Sequence, residues 1–201
     1  MTATYYASDM LASQTQDGST ISYTLDPTLG RIESYTDNGV TENVYYDDSS
    51  SNAGGYWTSN SWQRNVIDFN GNLAAEVTSS GTITLELPDM HGDILATATT
   101  SPTSTGPTTT SIYTEFGSPE SGSTPGNYGW LGADEISSSA LGGQMLMGAR
   151  ACNTNTGRFS QVDPVPGGSA NAYDYAAQNP VRISSQWRES SVRESSLQSL
   201  R

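Results

Sequence analysis

Short segments that alternate apolar and polar residues recur through the first half of the chain. Examples are IESYT, ENVYY, NLAAEV, TITLEL and DILATAT, rich in Val, Ile, Thr and Tyr. A period of two predicts strands with one face toward a core and the other toward solvent. The aspartates that follow such runs are evenly spaced: Asp26, Asp47, Asp68 and Asp89 lie 21 residues apart. Asp68 and Asp89 are each followed by Gly71 or Gly92 and then by an aliphatic, Leu73 or Ile94. The Asp26 unit carries one extra residue before Gly30, Arg31 and Ile32. The Asp47 unit departs, running into DDSSSNAGG. An aspartate closes a turn through its own side chain, and glycine supplies the positive φ that the turn demands. Twenty-one residues accommodate two strands and two turns. One such hairpin cannot bury its apolar face alone, so successive units are expected to join in a continuing sheet.

The pattern stops near residue 96. Residues 97–125 are rich in Ser, Thr and Pro and read as a loop, with SIYTEFG as an embedded short strand and turn. Order returns over 126–181, where YGWLGADE, LGGQMLMGAR and TGRFSQVDPVPGGSANAYDYAAQNPV follow one another. Within the last of these, ANAYDYAAQN predicts one short helix, stopped by Pro180. Residues 182–201 hold four of the eight arginines and seven serines, and are expected to be disordered when alone.

Composition narrows the function classes. Apolar residues make up 34% and charged residues 14%, whereas Ser and Thr together number 54, a balance that argues against a helical bundle. Lysine is absent, and eight arginines face 21 acids for a net charge of −13. That field repels a phosphate backbone and disfavours nucleic-acid binding. No apolar run is long enough for a membrane span, and MTATYYASDM lacks the basic and apolar regions of a signal peptide. A single cysteine, Cys152, forms no internal disulfide, and one histidine excludes zinc sites built from Cys and His clusters.

The Asp-centred units resemble YD repeats, whose Tyr-Asp, Gly-Arg and aliphatic pattern is matched best by YTLDPTLGRI. Residues 128–181 resemble the RHS-repeat-associated core region. The matching motifs are YGWLGADE, MGAR at Met147 to Arg150, GRFSQVDPV at Gly157 to Val165, and NAYDYAAQNPV. The resemblance implies an all-β fold in which a YD-repeat hairpin spiral forms part of a hollow shell and the core segment closes it. It further implies a secreted or cell-surface bacterial polypeptide of the polymorphic-toxin kind. Its partners would be the remainder of the shell or an enclosed C-terminal toxin. The chain corresponds to the last few repeats and the core, so it is expected to be a fragment without the toxin.

Some members of this family cleave themselves with paired aspartates, two carboxylates sharing one proton. The residues matching such a pair are Asp163 and Asp174. After Val181 the family's Asp-x-x-Gly segment is replaced by RISSQWRES, so the cleavage point is expected to be missing. His91, in PDMHGDIL, reads as an exposed turn residue and Cys152 as a semi-buried thiol. Asp89 and Asp93 flank His91 in a spacing that could hold calcium with turn carbonyls, but such spacing recurs by chance in acidic, Asp-rich β proteins and is not read as a metal site. Tyr23, Tyr45 and Tyr46 read as wall or core residues before carbohydrate-stacking ones. The expectation is a structural, non-enzymatic chain with no cofactor or metal. An adhesion or carbohydrate-binding module and a self-cleaving aspartate-dependent core stand as the alternatives.

Overall fold

The computed structural model describes residues 1–26, 28–29, 31–47, 52–138, 140–147, 150–162 and 171–181. Gly30, Asp163 and the 182–201 tail lie outside the described residues. Eleven strands form one antiparallel sheet in strict chain order. They are β1 (Thr2–Tyr5), β2 (Leu11–Gln16), β3 (Ser19–Asp26), β4 (Arg31–Asp37), β5 (Val40–Tyr45), β6 (Gly55–Trp57), β7 (Trp62–Ile67), β8 (Leu73–Thr78), β9 (Ile83–Pro88), β10 (Ile94–Thr99) and β11 (Thr109–Thr110). The chain is all-β, and every neighbour in the large sheet is the next strand in sequence.

Two rows of turns produce this meander. Along one margin lie the aspartate turns. Asp26 Oδ1 accepts the backbone N–H groups of Thr28 and Leu29 at 2.8 and 3.1 Å. Asp68 Oδ1 accepts those of Asn70 and Asn72, and Asp89 Oδ1 those of His91 and Asp93, all between 2.8 and 3.0 Å. In the latter two turns Gly71 and Gly92 take φ of 91° and 95°, values that an L side chain rarely adopts. Along the other margin β2 and β3 meet at Asp17-Gly18, β4 and β5 at Asn38-Gly39, and β8 and β9 across Gly81. Asp17-Gly18 and Asn38-Gly39 have positive φ at both central residues, the geometry that matches the twist of a tight hairpin. The Asp47 unit is the irregular one: its second strand, β6, has three residues, and a Cβ on Gly54 would lie 2.7 Å from the Asp47 carboxylate.

Alternation gives the sheet two unlike faces. The inner face buries Leu11, Ile21, Tyr23, Ile32, Val44, Leu73 and Ile94. The outer face carries registered rows, one of which runs Thr4, Ser13, Ser22, Thr36 and Thr41 across β1 to β5. Toward β9 the outer face becomes apolar, with Ile83, Leu85 and Leu87 exposed.

The segment after β11 turns back over the inner face. It contains a small antiparallel sheet of β12 (Gln144–Met147), β13 (Arg150–Asn153) and β14 (Arg158–Phe159), together with three-residue 3₁₀ turns at Gly132–Asp134, Leu141–Gly143 and Ala176–Gln178. The last of these stands where a short helix was expected. Ala176, Ala177 and Gln178 all have positive φ, so no α-helix propagates through them. The cause is tertiary: Tyr175 is drawn into the core against Trp130 and Phe159, and its N–H donates to the Gly157 carbonyl.

Candidate functional site

The seam between the repeat sheet and the segment seated on it concentrates the unusual chemistry. Its centre is the Asp89–Asp93 turn between β9 and β10. The turn docks on YGWLGAD through the backbone, with the Ala133 N–H donating to the Gly92 carbonyl and the Ile94 N–H to the Gly129 carbonyl, both at 2.9 Å. A side-chain bond joins them, since Asp93 Oδ1 accepts the Leu131 N–H at 2.9 Å.

His91 is held from three sides. Its Nδ1 lies 3.0 Å from Asp93 Oδ1, its Nε2 lies 3.2 Å from the Pro180 carbonyl, and its ring stacks on Trp130 at 6.4 Å and 30°. Both nitrogens face acceptors, so the doubly protonated ring satisfies the geometry. The Asp93 hydrogen bond is the main reason the imidazole is pushed up to about 9. Burial opposes the rise, while the Pro180 carbonyl and the Asp93 and Asp89 charges add to it. The side chain is 24% exposed, so His91 is a half-buried link between the fourth repeat turn and Asn179-Pro180 rather than the exposed turn residue expected. Contacts 89 residues apart in sequence left no local signal of this.

Beneath the turn lies the main core of the seated segment: Trp130, Leu131, Ile136, Met145, Cys152, Phe159, Tyr175 and Ala176. Trp130 is 1% exposed and meets Tyr175 edge-on at 5.3 Å. Gly117, at φ 86°, lies so close that a Cβ there would be 2.5 Å from the indole ring. Cys152 is fully buried in this cluster, deeper than the semi-buried thiol expected. Arg150 stacks over the Phe159 ring at 3.8 Å.

The N-terminal half of the seam is polar and aromatic. Gln14 is fully buried, donates to the Gln144 side-chain oxygen and accepts from the Tyr23 hydroxyl. Tyr23, Tyr35 and Tyr56 form a row, with centroids 6.5 and 5.8 Å apart. Burial pushes all three phenols upward. Asn65 reaches across the seam, donating to the Tyr128 hydroxyl and to Glu135 at 2.8 Å. Two acids, Glu76 and Glu86, lie on strands β8 and β9. Burial, and secondarily the charge of Glu76, raises Glu86 to about 7.

The other candidate residues fall as follows. Asp174 lies 3.6 Å from Arg158 Nε and accepts from Gln178 Nε2 at 3.0 Å. Asp163, its expected counterpart, lies outside the described residues. Arg31 stacks over the Tyr46 ring at 3.9 Å, and the Tyr46 hydroxyl donates to the Ile32 carbonyl. Tyr23 is buried, whereas Tyr45 is exposed on the outer face. Among the described residues, no group of three or more His, Cys, Asp or Glu could hold a metal ion. No helix among them is long and apolar enough to cross a membrane.

These features define a class: an all-β meander with a C-terminal segment seated on its inner face. The fold is similar to that of solved Tc toxin chains. The crystal structure of TcdB2-TccC3 matches with a TM-score of 0.63 at 13% identity, over 90% of this chain and 10% of that one. TcdB2-TccC3 without its hypervariable C-terminal region matches at 0.57 and 11%, again over 90% of this chain and 10% of that one. The Tc holotoxin pore of Photorhabdus luminescens matches at 0.52 and 11%, with the same coverage. The chain therefore spans about a tenth of the length of these solved chains. No family model matches the chain, and no curated protein matches it in sequence.

Proposed function

We propose that this chain is a structural, non-enzymatic piece of an RHS/YD-repeat shell: four repeat units of wall together with the core segment that closes it. In this reading the partners are further repeat units beyond the open β1 edge, and an enclosed cargo such as a C-terminal toxin. The parent polypeptide would act at the cell surface or after secretion. The observation that carries the reading is the seated segment. The chain covers one face of its own sheet through the Asp89–Asp93 turn, Trp130 and Gln14, as a plug would cover the inside of a wall. The likeness to Tc toxin chains supports that role at the level of fold.

A protease-protection experiment tests the enclosure. A reporter domain is fused after Val181 of a chain extended at its N-terminus by enough 21-residue units to close a shell. The reporter should survive a protease that digests it when free. Digestion at the free rate, with the repeats intact, contradicts the proposal.

A further inference from the structure

The outer face of the large sheet divides into two halves of opposite character. Across β1 to β5 its registered positions carry hydroxyls, as in the row from Thr4 to Thr41. Across β6 to β10 they are apolar. Trp57 pairs with Trp62, and Val77 with Ile83. Val66, Ala75, Leu85 and Ala98 form one continuous row, and Leu87 pairs with Ala96. Trp57, Trp62, Val66 and Leu87 are each 44–45% exposed, and the seated segment lies on the opposite face of the sheet. A contiguous apolar face of this kind marks an interaction surface.

Charge and area say what fits it. The acids of these strands, Glu76 and Glu86, share the inner rows of Asn65, Thr84 and Thr97. Arg64, paired with Gly55 and Val77, is therefore the one charged side chain among the outward positions of β6 to β10, although the chain holds 21 acids. Two copies, each of net charge −13, meet on this face without opposing carboxylates. Five strands at about 4.8 Å and four rows at about 6.8 Å give a footprint on the order of 650 Å² before side-chain relief is counted. That approaches the roughly 800 Å² per partner of a stable interface. A lipid surface fits less well, because Asp68 and Asp89 stand at the turns that bound this face and an acidic chain is repelled by anionic headgroups.

We propose that this face is a self-association surface on which two copies of the chain pack face to face about a two-fold axis. The two β6–β10 regions become the layers of a sandwich about 10 Å apart, with strand directions within about 30° of each other. The contact is isologous, so it closes at a dimer and leaves each seated segment and each β1 edge free. Arg64 is accommodated as well. Tyr45, Trp57 and Trp62 line a shallow cleft of ≈ 270 Å³ beside it, and the guanidinium of the opposing copy stacks on those rings. The surface lies across the sheet from the seam, so it stands or falls independently of the shell reading.

Sedimentation equilibrium of the full 201-residue chain, at low and at high salt, tests the surface. The chain should dimerise with a Kd of about 10 μM or tighter. The dimer should tighten as salt screens the repulsion between two acidic bodies. Tryptophan emission should shift to the blue over the same concentration range, as Trp57 and Trp62 leave water. Leu85→Lys, at the centre of the patch, should weaken the dimer by roughly a hundredfold or more, with the far-ultraviolet circular dichroism unchanged. Val66→Thr keeps the branched strand shape and should weaken it several-fold, a second reading if the lysine variant does not fold. Ser22→Lys, in the hydroxyl half, should leave the dimer unchanged. The proposal is overturned if the chain sediments as a monomer, or if association survives Leu85→Lys, which would place the contact at the β1 edge. It is likewise overturned if salt dissociates the pair, or if a monomeric chain binds phosphatidylcholine vesicles through this face.

Discussion

Replacing His91 with glutamine isolates the link between the fourth repeat turn and the end of the core segment. In the folded chain the imidazole is raised from 6.5 to about 9, chiefly by its hydrogen bond to Asp93. At ~1.4 kcal/mol per unit this corresponds to an upper bound of ~3 kcal/mol. A quarter of the side chain is exposed, so solvent screening reduces the effect to about 1–2 kcal/mol. The sign follows from proton counting. Below pH 6.5 both states hold the proton and the contribution is complete. Between 6.5 and about 9 the unfolded chain has released it while the folded chain retains it, so stability falls as pH rises. Urea unfolding of the wild type and His91→Gln, followed by tryptophan fluorescence across this range, gives the difference curve. The wild-type advantage should be largest below pH 6.5 and should shrink by about 1–2 kcal/mol by pH 9. A difference that stays flat across the window, or that grows with pH, refutes the charged His91–Asp93 link.

Three further substitutions probe the same architecture. Trp130→Ala removes the largest buried side chain of the seam and should cost about 3–5 kcal/mol in urea unfolding, enough to detach the seated segment. Gly117→Ala places a Cβ against the Trp130 ring at a positive φ and should cost about 1–3 kcal/mol, read in the same experiment. Glu86→Gln should act in the opposite direction. Because Glu86 is raised to about 7, the wild type loses stability as pH climbs from 4.5 to 7, so the variant should equal it near pH 4 and exceed it at pH 8 in thermal melts.

The all-β fold was legible because its determinants are local. In β3 the alternation of Ile21 and Tyr23 with Ser22 and Thr24 is the burial pattern itself, and the 21-residue recurrence reflects one hairpin per unit. The second margin of turns is equally written in the chain, as Gly18, Gly39 and Gly81 at multiples of the same interval, and its Asp-Gly and Asn-Gly pairs are hairpin signals that the aspartate row overshadowed. What escaped sequence reasoning depends on distant partners. His91 is placed by Pro180, Gln14 by Gln144 and Asn65 by Tyr128, and no window of neighbouring residues reports any of them. The short helix expected near Asp174 fails for the same reason, since local propensity gave way to the burial of Tyr175.

The central claim, that this sheet is a stretch of wall, is tested most directly by hydrogen exchange at its β1 edge. In the 201-residue chain the β1 amides that do not pair with β2 should exchange rapidly, while those of β7 and β8 are protected. Adding two further 21-residue units before Met1 should protect the open β1 amides and leave the β7 and β8 amides unchanged. If β1 stays unprotected while the added units fold apart from it, the sheet is a finished domain and not a segment of a shell.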